Sequence, residues 1–515
     1  MGSEDEPEAA RWCQSRLLLG LLPLLMALPL LLPSIPPLTD LPGHMGRYRI
    51  ALDLAQSPFL QRFYDFHWSL IPNLGADLLV VPFAKLAGLE AATKIVALLI
   101  PALTAAGFLW VSREAHGRVS PSVLLAAPLI YGFPFLYGFL NFTLSAAFAF
   151  LALGLWMRLG RLGRFGLRAA VFVPLSLVVW VAHAFGWGML GLLAFGVEIA
   201  RERESGRRWP EAVFRAGLHV LPLAPPLLPM LIWSGQTPGS AKDWLNLQWK
   251  ALASLWLLRD RWPAFDIASI LVLVLALVFG WRDKRLHSAC ALAVPAVILF
   301  AAFFLLPRLF LGGAHNDDRL LPYAVATALL ALRPSAAATR RFASGFALAA
   351  LAFFGVRMAG VGASAWLYGK SFDAEAAAIE QLPRGARVAA FVGIGCFLNW
   401  QRNRLDHLPS LAIVRREAFS NDQWTVAGSH LLKVKPPYEA YIDPSQMVAE
   451  PECHEHLLGE TLPAVDLARF DHVWLIQPPA YDAALVRGWT PVWRHGPSVL
   501  FRLPGAAPAQ PVTLP

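Results

Sequence analysis

The sequence predicts an α-helical polytopic membrane protein of about 11 spans with a small extracytoplasmic α/β domain at its C-terminus. Three observations predict it. The 515 residues are 56% hydrophobic and only 15% charged, against roughly 25% charged in a soluble globular protein, and the mean hydropathy is +0.49. Apolar runs long enough for a ~30 Å hydrocarbon core recur along the first 360 residues. From about residue 370 the composition turns to that of an ordinary soluble domain.

In order, the spans fall at 17–33, 95–112, 122–139, 142–157, 169–182, 184–200, 217–233, 267–281, 288–306, 319–332 and 343–361. The first is read as retained: no small-residue cleavage site follows it, and the acidic start MGSEDEPE is wrong for a signal peptide. The arginine-dense loops 158–168, 201–215, 282–285 and 333–341 fall on one side by alternation. The positive-inside rule makes that side cytoplasmic, together with an N-terminus carrying Arg11 and Arg16. This parity requires that Gly75 to Leu89 not cross. With about fifteen residues, and Asp77, Pro82 and Lys85 among them, it reads as a helix along the outer interface.

A multi-span domain at 1–368, with outer juxtamembrane helices at about 42–92, thus precedes an extracytoplasmic α/β domain at 369–515. The setting is a multi-pass protein, as in a bacterial inner membrane. The formal charge of +9 belongs to topology. No basic stripe interleaved with aromatics exists to hold nucleic acid, so that partner class is excluded.

The outer face receives loops 34–94, 234–266 and 307–319 and the turns at Asn141 and His183, and there acids, histidines and bases gather together. In TDLPGHMGRYR (39–49), Pro42 suits the first turn of a helix and Asp40 stands just ahead of it. Asp40 is either a helix cap or a functional carboxylate. His44 and Arg47 are three apart, Arg49 and Asp53 four apart, and Met45, Tyr48 and Leu52 share another face, giving an amphipathic helix at the outer surface. Lys85 either snorkels to water or meets a lipid phosphate. In HNDDR (315–319), His315, Asp317, Asp318 and Arg319 open a span and suit an anionic or metal-bridged head group, or else form a solvated loop. His183 sits at the apex of a tight hairpin. The loop 234–262 reads as amphipathic, with Trp244, Trp249, Trp256 and Trp262 for the interface and Arg259, Asp260 and Arg261 for phosphate.

No P-loop, dinucleotide fingerprint or nucleophile elbow is present. PECHEH (451–456) is spaced too tightly for a structural zinc site and reads as surface loop. Cys396 and Cys453 can pair if the tail lies outside the cytoplasm, though two free thiols is the simpler reading. The tail reads as a helix and short strand near 371–396, a strand in FDHVWLIQPP and a closing hairpin in TPVWRHGPSVLFRLP.

Taken together, Thr39-Asp40-Leu41-Pro42-Gly43-His44 after the first span, the surface helix with Lys85, the turn FLYGFLNF, the outer His183, and Asp318-Arg319-Leu320-Leu321 leading into a late span with Pro322 resemble the GT-C class of membrane glycosyltransferases. The resemblance implies inverting transfer of a sugar from a polyprenyl-phosphate carrier to a glycan, lipid or protein acceptor at the outer face. It gives the base to Asp40 with His44 beside it, and the cations for the lipid phosphate to Lys85, Arg259 and Arg319. Asp317 and Asp318 would meet acceptor hydroxyls or a divalent metal ion, and Arg47, Asn141, His183 and His315 would contact substrate. The first loop has one acid where the class commonly has two. A transporter or lipid flippase would carry its ionisable groups near the midplane of its spans, whereas these gather at one face. A non-catalytic assembly protein for envelope polysaccharide is the other alternative.

Overall fold

A computed structural model describes residues 15–234, 241–310, 313–396, 399–441, 447–453 and 456–505. Arg11, the acidic start, Cys13, part of the loop 234–262 and part of PECHEH lie outside the described residues. Among the described residues, six helices are long and apolar enough to cross a membrane: Leu89–His116, Leu140–Arg161, Phe165–Ala182, Ala184–Glu204, Pro263–Arg282 and Arg340–Gln381. Trp209–His219 and Leu221–Trp233 make a pair bent by 43°, and Leu19–Leu30, Val123–Tyr137, Cys290–Leu305 and Leu321–Leu330 are shorter apolar helices. Every apolar stretch read from the sequence is therefore helical. This suits lipid, where a helix satisfies its own backbone polar groups.

The few charges deep in the bundle are paired. Arg168 donates to Glu198 at 2.7 Å, and Trp156 Nε1 donates to the same carboxylate at 2.8 Å. Arg201 meets the same Glu198 carboxylate, so the arginine-dense loops 158–168 and 201–215 lie at one end of the bundle. Buried Arg357 pairs with Asp266. Removing one member of such a pair strands a charge, typically at about 3–5 kcal/mol.

The helix Gly75–Ala87 has 13 residues and ends at Gly88. At 1.5 Å per residue it spans ~20 Å, short of a ~30 Å core. The helix Leu41–Asp53 departs from its sequence reading. Instead of lying amphipathic on the surface, it is buried from Leu41 to Tyr48 and again at Ile50, because the C-terminal domain covers the face expected to be wet. Only the end of the helix keeps the expected pattern, with Arg49 and Asp53 paired at 2.8 Å.

The C-terminal domain is built on a mixed sheet around the strand Arg387–Ile394, which pairs in parallel with Phe419–Ser420, Met447–Ala449 and His472–Ile476. His472–Ile476 continues antiparallel to Ser498–Arg502, which closes a hairpin with Thr490–His495. The helix, strand and hairpin read from the tail are all present. Cys396 and Cys453 form a disulfide, which corrects the simpler reading of two free thiols. The domain is stitched to the first outer loop by the strand Tyr64–Phe66, antiparallel to Leu432–Val434, and by Arg415 on Glu90 at 2.8 Å.

Candidate active site

Two cavities lie where the helix Leu41–Asp53, the outer turns of the bundle and the C-terminal domain meet. The first, about 350 Å³, is lined by Asp40, His44, His183, Arg319, His407 and Trp424 among others. Asp40 occupies the N-cap position of its helix, yet its side chain makes no capping hydrogen bond. Its backbone is held instead: its N–H donates to the Tyr137 carbonyl at 2.8 Å, and its carbonyl accepts from the His44 N–H at 3.0 Å. The glycine of FLYGFLNF permits that crossing, since Gly138 has φ +100° and a Cβ there would stand 2.8 Å from the Asp40 nitrogen. The carboxylate turns to the cavity, with Oδ1 3.8 Å from His407 Nε2. His407 Nδ1 lies 3.9 Å from Asp422, itself fixed by the Ser410 N–H at 2.9 Å and the Ser410 hydroxyl at 2.8 Å. An imidazole thus stands between two carboxylates within ion-pair range.

Trp424 organises this wall. Its ring lies 4.3 Å from that of His407, 5.5 Å from His44 and 5.9 Å from His430. It also lies directly on Gly43, where any Cβ would overlap it. Burial first, and then the charge of Arg47, hold the imidazoles of His44 and His430 well below their usual pKa, so both are neutral near neutral pH. His183 Nδ1 accepts from the Phe185 N–H at 3.1 Å, which leaves its proton on Nε2. Arg319 Nη1 approaches that Nε2 at 3.5 Å as one donor facing another. The Arg319 guanidinium is held by the Ala314 carbonyl at 2.9 Å and by the Phe139 ring at 4.0 Å.

The second cavity, about 280 Å³, is lined by Arg259, Arg308, Arg402, Trp249 and Trp256 among others, and shares His315 and Tyr137 with the first. Each arginine rests on a ring: Arg259 on Trp256 at 4.4 Å, Arg308 on Trp249 at 3.6 Å and Arg402 on Phe133 at 4.8 Å. Arg259 Nε donates to the Trp400 carbonyl at 2.8 Å. Burial first, then the charges of Arg259 and Arg404, push Arg402 down to about 9. It remains a cation at pH 7, and an anion would relieve the repulsion it meets from Arg259 and Arg404.

Of the residues singled out in the sequence, Asp40, His44, Asn141, His183, His315 and Arg319 line the first cavity, and Arg259, His315 and Asp318 the second. Asp260 and Arg261, read with Arg259 as a phosphate contact, line neither: Asp260 is buried on Arg404 at 2.7 Å and Arg261 lies over the Tyr368 ring at 4.8 Å. Three more do not reach either. Arg47 is buried on Asp77 at 2.9 Å, because the turn of helix that carries it faces the helix Gly75–Ala87. Lys85, in the last turn of that same helix, is exposed. Asp317 is fully buried on Lys250, since adjacent residues in a turn point to opposite sides. Asn141 lines the cavity mainly as a brace: its carbonyl accepts from the Ala76 N–H at 2.6 Å, and its amide donates to Asn73 at 2.7 Å and Asp77 at 3.1 Å. Trp249 and Trp256, read as an interfacial belt, instead wall the second cavity. Among the described residues no group of three His, Cys, Asp or Glu side chains is placed to hold a metal ion, and Asp318 holds His315 instead. Sequence reading missed His407, Trp424, His430, Arg308 and Arg402. The first three and Arg402 lie in a domain of ordinary composition, where a histidine or arginine gives no signal of its own.

The sequence matches no family model and no curated protein. Among solved structures, the chain is similar to ArnT from Cupriavidus metallidurans bound to undecaprenyl phosphate, at 13% identity and a TM-score of 0.51, over 97% of this chain and 100% of that one. The apo structure of the same ArnT matches at 12% identity and a TM-score of 0.47, over 96% and 98%. The chain therefore shares the fold of that ArnT along its whole length.

Proposed function

We propose that this protein is an inverting membrane glycosyltransferase that moves a sugar from a polyprenyl-phosphate carrier to an acceptor hydroxyl at the outer face of the membrane. One observation carries the reading: the Asp40 carboxylate, unused as a cap, faces a cavity that adjoins a second cavity walled by three arginines. The likeness in fold to ArnT, captured there with undecaprenyl phosphate, supports the carrier class. A lipid-linked donor keeps its tail in the bilayer, so its enzyme must offer polar groups at the edge of the apolar bundle, which is where both cavities lie.

In this mechanism the acceptor hydroxyl lies in the first cavity and gives its proton to Asp40 as it attacks the anomeric carbon. The sugar–phosphate bond breaks on the opposite face, which inverts the configuration. Negative charge on the departing lipid phosphate is met by Arg259, Arg308 and Arg402, already in place before the bond breaks. Arg319 lies on the acceptor side and orients hydroxyls there. An outer location for both cavities and the C-terminal domain, with the N-terminus cytoplasmic, is supported by the arginine-dense loops and by the disulfide, which belongs to an oxidising compartment. The test uses purified protein in lipid nanodiscs, undecaprenyl-phosphate-linked sugars and a membrane extract as the source of acceptor. Labelled acceptor and free undecaprenyl phosphate should both appear. Movement of lipid across vesicles without release of undecaprenyl phosphate would contradict transfer and favour a flippase.

A further inference from the structure

The wall shared by the two cavities is built around His315. Its backbone has φ +60°, a left-handed conformation uncommon outside glycine and often kept at functional sites. That turn brings the ring back over Asp318, whose Oδ2 lies 2.9 Å from Nδ1. Phe133 at 4.9 Å, Trp249 at 5.7 Å and Tyr137 at 5.8 Å fix the plane of the imidazole. With Nδ1 engaged by the carboxylate, Nε2 on the opposite edge is the atom left for a ligand. Asp40 lines only the first cavity and the three arginines only the second, whereas His315 lines both. A donor with its phosphate among the arginines and its anomeric carbon towards Asp40 must carry its sugar–phosphate bond past this ring.

We infer that His315 is a catalytic residue: the imidazole, oriented by Asp318, donates a hydrogen bond from Nε2 to the oxygen that bridges the sugar and the lipid phosphate. This rests on the transferase reading and assigns the leaving-group side of it. As the acceptor oxygen bonds to the anomeric carbon, the bond from that carbon to the bridging oxygen breaks and its electron pair stays on the phosphate. The acceptor proton goes to Asp40. This role requires the imidazolium form, which donates once from Nδ1 to Asp318 and once from Nε2 to the oxygen that gains charge and passes on neither proton, so the second hydrogen bond strengthens as the reaction proceeds.

The test is His315→Asn, because asparagine accepts the left-handed backbone and removes the ring. Steady-state transfer from an undecaprenyl-phosphate-linked sugar should show kcat lowered about 100-fold, the usual loss for one hydrogen-bond donor aimed at developing negative charge, with the donor KM within about threefold of wild type. Asp318→Asn, which leaves His315 in place and removes the charge behind it, should lower kcat about 10-fold and serves as the readout if the first variant folds poorly. A His315→Asn enzyme with wild-type kcat, or one whose loss is entirely in KM, overturns the inference while leaving the transferase reading intact, as does an Asp318→Asn enzyme with wild-type kcat. A wild-type protein that transfers no sugar from any polyprenyl-phosphate donor overturns both.

Discussion

The two cavities share a wall and divide their chemistry. The first is lined by one carboxylate and several imidazoles, of which His44 and His430 are kept neutral by burial, so it can take up a proton without first losing one. The second is lined by three arginines resting on aromatic rings, with Arg402 still charged despite burial. Asp318 and Asp406 line it as well, so that cations outnumber carboxylates there. Under the proposed transfer a site would use both environments; Arg319 is the cation that stands with Asp40 in the first cavity, and the other three arginines stay in the second. Domain placement supports the division, since the C-terminal domain contributes to each: His407, Trp424 and His430 to the first, Arg402 and Asn399 to the second. The bundle alone would leave both open.

The comparison can be broken most sharply at Asp40. Asp40→Asn keeps the shape and removes the proposed base, and kcat should fall about 1,000-fold, within the range for general base catalysis, with protein abundance in membranes unchanged. The wall of the first cavity comes next. Gly43→Val would drive its side chain into the Trp424 ring, at about 1–3 kcal/mol for overpacking, and should displace the loop that bears His407's partners. Lowered activity together with a lower melting temperature is expected, and full activity would show that the packing of Trp424 does not matter. In the second cavity Arg402→Ala should weaken undecaprenyl phosphate binding at least about 10-fold, or 1.4 kcal/mol, with a smaller effect on turnover at saturating donor.

The histidines give a gentler, pH-dependent test. His44 and His430 are neutral when folded, but below about pH 6.5 the unfolded chain takes up protons that the folded chain refuses. Their contribution to stability is present above that value and is lost as the pH falls. The melting temperature should therefore decline between pH 7 and pH 5, and should decline less in His430→Gln. Smallest of all is Lys85→Ala, exposed and remote from both cavities, for which unchanged transfer and carrier binding are expected. A large loss there would move the lipid phosphate out of the second cavity.

What the sequence made legible follows the same division. Polar residues stand out against apolar runs, so Asp40, His183, His315 and Arg319 could be found without coordinates, as could Arg259 in its tryptophan-rich loop. Periodicity names a helical face but not its neighbour. The resemblance assigns Arg47 and Lys85 to the substrate, and periodicity does not correct it, although Arg47 faces the buried Asp77 and Lys85 is exposed. The capping question about Asp40 was open for the same cause, because only the path of the chain over Gly138 shows where the carboxylate turns. The need for glycine at position 43 is invisible until Trp424, almost four hundred residues later, is seen lying on it. His407 and Arg402 lie in the polar tail, where neither composition nor spacing sets them apart.

One titration tests the division of labour most directly: undecaprenyl phosphate added to wild type, Asp40→Asn and Arg402→Ala in nanodiscs, with bound carrier measured at equilibrium. Expected is wild-type affinity for Asp40→Asn and affinity at least about 10-fold weaker for Arg402→Ala. The reverse pattern, with Asp40→Asn weakened and Arg402→Ala unchanged, would contradict the assignment of the carboxylate to the acceptor and of the arginines to the lipid phosphate.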